Sequence, residues 1–145
     1  MSRFYAIDEA NTALPEVERI LTALRDQREE LIGLRDRVVA AAPDDGETPP
    51  TGAAEQIRLL RLGMQGLIDQ MQAGVARLIE MDITLRDIST GLIDFPALVS
   101  GRPIWLCWRL GEAEVANWHP HDEGYESRRP LSELPMSRGS GTPAA

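Results

Sequence analysis

Lysine is missing from this chain, so all 15 of its basic residues are arginines. The chain also contains 23 acidic residues, so its formal net charge is −8. Binding to phosphate backbones requires a basic face, so this balance argues against nucleic acid as a partner. Arginine without lysine is typical of a GC-rich genome; selection for the planar guanidinium group is the alternative explanation.

Cysteine and long apolar runs are scarce as well. The single cysteine, Cys107, excludes an internal disulfide framework and a cysteine-rich zinc site. No apolar run approaches the roughly 18 residues that a membrane span needs. Residues 1–10 lack the apolar core of a signal peptide. We therefore expect a cytoplasmic protein with no membrane partner.

The first helical region is predicted over residues 8–42. Asp8 is a suitable N-cap for a short helical turn, and a longer helix is predicted to begin at Pro15, where a missing N–H is tolerated, and to end near Ala42. Its apolar residues recur at spacings of three, four and seven: Val17, Leu21, Leu24, Leu31 and Val38. Residues 43–52 are acidic and rich in proline and glycine, which predicts a loop.

A second helix is predicted from about Ala53 to about Glu80. Two helices of about 28 residues, each about 40 Å long, pack most simply as an antiparallel hairpin. Three glycines in the second helix are explained either by close helix approach or by tolerated looseness: Gly63, Gly66 and Gly74. Both helices carry apolar residues outside one narrow seam, so a third layer must cover them, either the C-terminal module or a second subunit.

The composition changes near residue 82, and five of the seven aromatic residues lie between Phe95 and Tyr125. Short strands are predicted at 83–87, at Leu92–Pro96, where proline ends the strand, and at Arg102–Leu110. Gly111-Glu112 is predicted as a two-residue hairpin loop that leads to a returning strand at Glu114–His119. That register predicts three cross-strand pairs of the kinds that stabilise a hairpin: Arg109 with Glu114, Trp108 with Val115, and Trp105 with Trp118.

These elements predict an α+β, mainly α fold. A long antiparallel helical hairpin (8–42 and 53–81) precedes a small antiparallel β module (83–125), within one domain over residues 1–130. Residues 131–145 are rich in serine, glycine and proline, which predicts a disordered tail.

Several strings resemble a small prokaryotic family known only as a domain of unknown function. They are Phe4, Glu9-Ala10-Asn11 and Leu14-Pro15, then Gly91-Leu92-Ile93-Asp94-Phe95-Pro96, Leu106-Cys107-Trp108-Arg109-Leu110-Gly111-Glu112, Trp118-His119, and Gly124-Tyr125 with Arg128. The matches span residues 4–130, and the C-terminal strings are the specific ones. The resemblance implies the same layout of long helices followed by a β-rich segment, and it implies no established reaction.

The two histidines suggest a metal site. Alternate residues of an extended segment point to one side, so His119 and His121 are expected to share a face, with Asp122 or Glu123 adding a carboxylate. Two imidazoles and a carboxylate suit a divalent transition metal, zinc or iron. A pair of surface or capping histidines is the alternative interpretation.

Other candidates belong to a binding surface within the family-like strings: Asp94, Trp105, Trp108, Arg109, Glu112, Trp118 and Arg128. The polar members also fit salt bridges that clamp the tail onto the helices, and the tryptophans also fit core packing. Cys107 as a nucleophile would need a nearby base such as His119. The predicted register places Cys107 opposite Ala116 instead.

The sequence favours an interaction module over an enzyme. In this interpretation the hairpin mediates self-association, as a homodimer, or contact with a partner protein, and the tryptophan-rich module supplies the specific contact. One alternative is a small metal-binding protein or metal-dependent enzyme centred on His119 and His121. Another is a small-ligand pocket between the tryptophans and the helices.

Overall fold

The computed structural model describes residues 3–43 and 51–134. Two helices come first, α1 (Ile7–Ala41) and α2 (Ala53–Glu80). Five strands follow in one antiparallel sheet: β1 (Thr84–Asp87), β2 (Leu92–Val99), β3 (Arg102–Arg109), β4 (Asn117–Pro120) and β5 (Arg129–Pro130). The predicted α+β, mainly α fold is confirmed. Most of the predicted 43–52 loop and the predicted disordered tail from residue 135 onward lie outside the described residues.

The helix α1 is continuous, and the predicted break before Pro15 is wrong. The helix begins at Ile7, so Asp8 lies inside its first turn, while Glu9 Oε1 accepts the N–H of Ala6 at 2.8 Å. Pro15 removes one helical hydrogen bond. The apolar stripe nevertheless keeps its helical phase across the proline and is buried along its length: Ala10, Leu14, Val17, Leu21 and Leu24. Burial of this stripe outweighs the local cost of proline.

The helices form the predicted antiparallel hairpin. Side chains meet across it in reversed order: Glu16 bonds Arg77 at 2.7 Å, and Gln27 bonds Gln70 at 3.3 Å. Gly74 packs against Leu24: a Cβ at this position would lie 3.2 Å from Leu24 Cδ2. At Gly74 the glycine therefore does allow the two helices to approach closely. No part of either helix within the described residues is long and apolar enough to cross a membrane.

The strand β2 runs through Pro96 and does not end there. It continues to Val99, paired with β3 as far as Arg102. On the other side of β2, pairing with β1 ends at Thr84 opposite Asp94, so Pro96 lies at a strand edge, where a residue without an N–H is tolerated. The carbonyl of Pro96 accepts the N–H of Tyr5 at 2.7 Å, so the N-terminal segment lies along the same edge.

The predicted register between β3 and β4 is wrong by one residue. Trp118 lies opposite Leu106, and His119 lies opposite Trp105. The link between the strands is also longer than a two-residue loop, since β4 begins only at Asn117. Because successive side chains alternate between faces, this single step decides which residues of β4 enter the core.

The sheet has two different faces. Its inner face packs on the helices through alternate residues of β2, β3 and β4, which join the helical stripe in one apolar core: Ile93, Phe95, Ile104, Leu106, Trp108 and Trp118. The outer face therefore carries the intervening residues. Leu131 and Leu134 also pack against the core, so the first residues of the predicted tail are ordered.

Candidate functional site: a buried polar cluster on the outer face

Asp94, Cys107 and His119 meet on the outer face of the sheet. Asp94 on β2 pairs directly with Cys107 on β3, and His119 on β4 lies on the diagonal. All three are buried, with at most 2% of each residue exposed. Their potential ligand atoms lie within 4.8 Å of one another. Within the described ranges, this is the group of acidic, histidine and cysteine side chains that fits around one metal ion.

His119 is held through both ring nitrogens. Its Nε2 lies 3.0 Å from Asp94 Oδ2, and its Nδ1 lies 3.0 Å from the carbonyl oxygen of Pro120. Carbonyl and carboxylate oxygens both only accept, so each contact needs a hydrogen on the ring nitrogen. A neutral ring carries one hydrogen and therefore satisfies one of the two contacts, with its lone pair directed at the other acceptor.

The two oxygens of Asp94 have unequal hydrogen-bond partners. Arg86 on β1 donates from Nε to Asp94 Oδ2 at 2.8 Å, and the same oxygen faces His119. Asp94 Oδ1 is buried and receives no N–H or O–H donor among the described residues. The Cys107 thiol is hydrogen-bonded to the Asp94 carboxylate, but a thiol is only a weak donor.

The Cys107 thiol is kept neutral. Burial raises its pKa to about 12, and the negative charge of Asp94 acts in the same direction. A thiol in this state is a poor nucleophile near neutral pH. His119 therefore does lie close to Cys107, contrary to the arrangement predicted from the register, but the protein alone does not activate the thiol.

A second polar group clamps the segment after β4 onto the β3–β4 link. Arg128 Nη2 donates to Glu112 Oε1 at 2.9 Å, and Arg128 Nη1 donates to the Tyr125 hydroxyl at 3.1 Å. Glu112 Oε1 also accepts the backbone N–H of Arg109 at 2.8 Å. Glu112 and Arg128 thus meet as an ion pair, whereas Arg109 contributes its main chain and keeps an exposed side chain.

His121 and Asp122 do not join His119 in a ligand set. The His121 ring stacks on Trp105 with ring centroids 5.0 Å apart and an interplanar angle of 12°. Trp105 Nε1 donates to the His121 carbonyl at 3.1 Å, and the Arg86 guanidinium lies 5.0 Å from the Trp105 ring centre. Asp122 is exposed.

The three tryptophans have separate surroundings. Trp108 and Trp118 lie in the helix-facing core, with 1% and 3% exposed, while Trp105 is half-buried on the outer face. Trp118 borders an open groove of about 780 Å³ beside the β2–β3 turn, with Arg102 and His121 on its rim. The ligand pocket between tryptophans and helices stays a prediction.

Sequence reasoning overlooked two members of the polar cluster. No motif in the sequence marks Arg86, and the predicted register places Cys107 opposite Ala116 and away from His119. The available signal was the alternation along β2 and β3, which puts Asp94 and Cys107 on the face opposite Phe95 and Leu106.

Comparison with known proteins gives one match. The family model described as an uncharacterized conserved protein (DUF2203) matches residues 3–131. No curated protein matches the chain, and neither does any solved structure.

Proposed function

The chain belongs to the DUF2203 family, and from its structure we propose that it is an assembly module whose helical hairpin pairs with the hairpin of a second copy. The observation that carries this proposal is an apolar stripe along one side of α2, which we call the α2 flank. It consists of residues at helical spacing that remain half-buried or exposed: Ile57, Met64, Ile68, Met71, Val75 and Ile79. Ile79 alone is 66% exposed.

The sheet covers the hairpin only in part. The last buried residue of α1 is Leu24, so most of the rest of this 35-residue helix has no third layer. An open groove of about 390 Å³ lies beside α2, and its lining is almost wholly apolar: Leu31, Ile68, Met71, Gln72, Val75, Ala76 and Ile79. Continuous apolar surface of this kind marks an interaction site in a soluble protein.

A second copy is an occupant of suitable size. The α2 flank runs over the 23 residues from Ile57 to Ile79, which is about 33 Å, and two helices side by side are about 20 Å wide. Two such faces together bury on the order of 1,300 Å², which lies in the range of stable specific interfaces. Pairing two antiparallel hairpins along these faces produces a four-helix bundle, which buries apolar stripes of this spacing.

The charge distribution also favours pairing through α2. The whole chain carries a net charge of −8, which opposes contact between two copies. The helix α2 contains three arginines and three acidic residues, so its own net charge is zero. Repulsion between copies is therefore smallest where the apolar stripe lies.

Sedimentation velocity of the full chain tests the proposal. We expect a species of twice the 16.0 kDa chain mass. The double variant Ile68→Glu/Ile79→Glu places charges within the proposed interface and should weaken dimerisation at least about tenfold. Leu98→Glu is the matched control, since Leu98 is also apolar and 49% exposed but lies on β2.

Two results would overturn self-association. One is a wild-type chain that stays at 16.0 kDa up to about 100 μM. The other is a dimer that the Leu98→Glu variant disrupts and the double variant on α2 does not. Far-UV circular dichroism of each variant confirms that loss of the dimer is not loss of the helices.

A further inference from the structure

The outer-face cluster poses a problem of charge and hydrogen bonding that the apolar core does not. When the single hydrogen of a neutral His119 ring lies on Nδ1 and is donated to the Pro120 carbonyl, the ring presents a lone pair at Nε2. That lone pair lies 3.0 Å from a carboxylate oxygen of Asp94, which is also an acceptor. Two acceptors at hydrogen-bond distance repel unless a proton or a cation lies between them.

A hydrogen on Nε2 would satisfy the contact with Asp94 Oδ2. The Cys107 thiol, which is hydrogen-bonded to Asp94, would remain a buried neutral group beside the carboxylate and the imidazole. A metal ion accounts for all three groups at once, because oxygen, sulfur and imidazole nitrogen all donate electron pairs to it.

We infer that Asp94 Oδ1, Cys107 Sγ and His119 Nε2 bind one divalent ion of the zinc class. Thiolate, imidazole and carboxylate together suit zinc better than the hard cations calcium and magnesium, which prefer all-oxygen sites. Three protein ligands leave a fourth position for water or another small ligand. On binding, the Cys107 thiol loses its proton to solvent and the sulfur coordinates as thiolate.

The neighbours of the three ligands support this assignment. A metal-binding histidine usually donates its second ring N–H to a carbonyl or carboxylate, as His119 does to Pro120. A metal-binding carboxylate is usually hydrogen-bonded through its other oxygen, as Asp94 is to Arg86. The site shares only His119 with the set suggested by the spacing of the histidines.

Cobalt(II) is the probe for the experiment, because a thiolate ligand produces a charge-transfer band that oxygen and nitrogen ligands do not. The full chain is purified without a histidine tag, freed of metal by a chelator and titrated with cobalt(II). We expect one equivalent to bind, with a thiolate charge-transfer band, and zinc(II) to displace it. Zinc binding should release about one proton per ion from the thiol.

Variants locate the site. Cys107→Ser should abolish the charge-transfer band, and Asp94→Asn should weaken cobalt binding at least about tenfold. His121→Gln is the matched control: it removes the other histidine, which is exposed, and should leave the spectrum unchanged. A band that disappears in His121→Gln, or persists in Cys107→Ser, overturns the inference.

The wild-type chain decides the matter even if a core variant does not fold. Absence of a thiolate band at excess cobalt(II) refutes the site. Dimerisation through α2 is measured independently, so failure of one proposal leaves the other standing.

Discussion

Asn11 connects α1 to the link between β3 and β4, and Asn11→Ala is expected to destabilise the fold. Asn11 Oδ1 accepts the N–H of Val115 at 2.7 Å, across 104 residues of sequence. Val115 is 1% exposed and packs in the core, so its main chain has little access to water. Alanine removes the acceptor and leaves this N–H without a partner.

The magnitude follows from two opposing effects. A buried N–H that loses its partner costs about 1–3 kcal/mol. Alanine favours the helix over asparagine by about 0.5 kcal/mol, which offsets part of the loss. We expect a net loss of about 0.5–2.5 kcal/mol in the free energy of unfolding. Each 1 kcal/mol lowers Tm by about 3–5 °C in a domain of this size.

Urea unfolding followed by far-UV circular dichroism measures the effect, at one protein concentration for all variants. Asn11→Asp keeps an acceptor oxygen in place and should retain more stability than Asn11→Ala. Thr12→Ala is the control on the same helix, because the Thr12 hydroxyl bonds only its own helix, at 2.8 Å to Asp8 O. An Asn11→Ala variant no less stable than Thr12→Ala would refute the reasoning.

Three further predictions concern the packing around the core. Burial raises the pKa of Tyr5, so as the pH rises above the ordinary value of 10.0 the tyrosine ionises more readily in the unfolded chain than in the folded chain. The free energy of unfolding should therefore be unaffected below pH 10.0 and should fall above it. The urea midpoint of Tyr5→Phe should fall less above that pH than the midpoint of the wild type. Gly91 has φ +69°, and a Cβ there would lie 2.6 Å from Leu110 Cβ, so Gly91→Ala should cost at least about 2 kcal/mol in the same unfolding measurement. The Arg77–Glu16 ion pair is largely exposed, so Arg77→Ala should leave the urea midpoint close to that of the wild type, and a large drop would contradict this.

The local pattern of the sequence was sufficient to predict the helices. The apolar spacing of α2 and the loop before it predicted Ala53 to Glu80, which are the observed bounds. Helical periodicity depends on neighbours within a few residues, so the chain itself carries the signal. The same periodicity predicted that the hairpin would need a third layer, which the sheet supplies in part.

Pro15 shows where local reasoning fails. Proline and the preceding N-cap candidate Asp8 predicted a boundary, because both act through the backbone nearby. The helix continues because Leu14 and Val17, on either side, are buried against the rest of the protein. Packing of these side chains against residues distant in sequence outweighs the local tendency of Pro15 to interrupt the helix.

The register that brings the outer-face cluster together was decided by the tertiary structure. The sequence determined that Asp94, Cys107 and His119 lie on three strands of one module, and alternation assigned each strand two faces. Only the fold chose the register, and a shift of one residue exchanges the faces of a strand. In the structure β4 begins only at Asn117 and His119 faces Asp94, while Asn11 on α1 accepts the N–H of Val115 in the link before β4. This contact joins residues 104 apart in sequence, so no pattern within the β module reveals it.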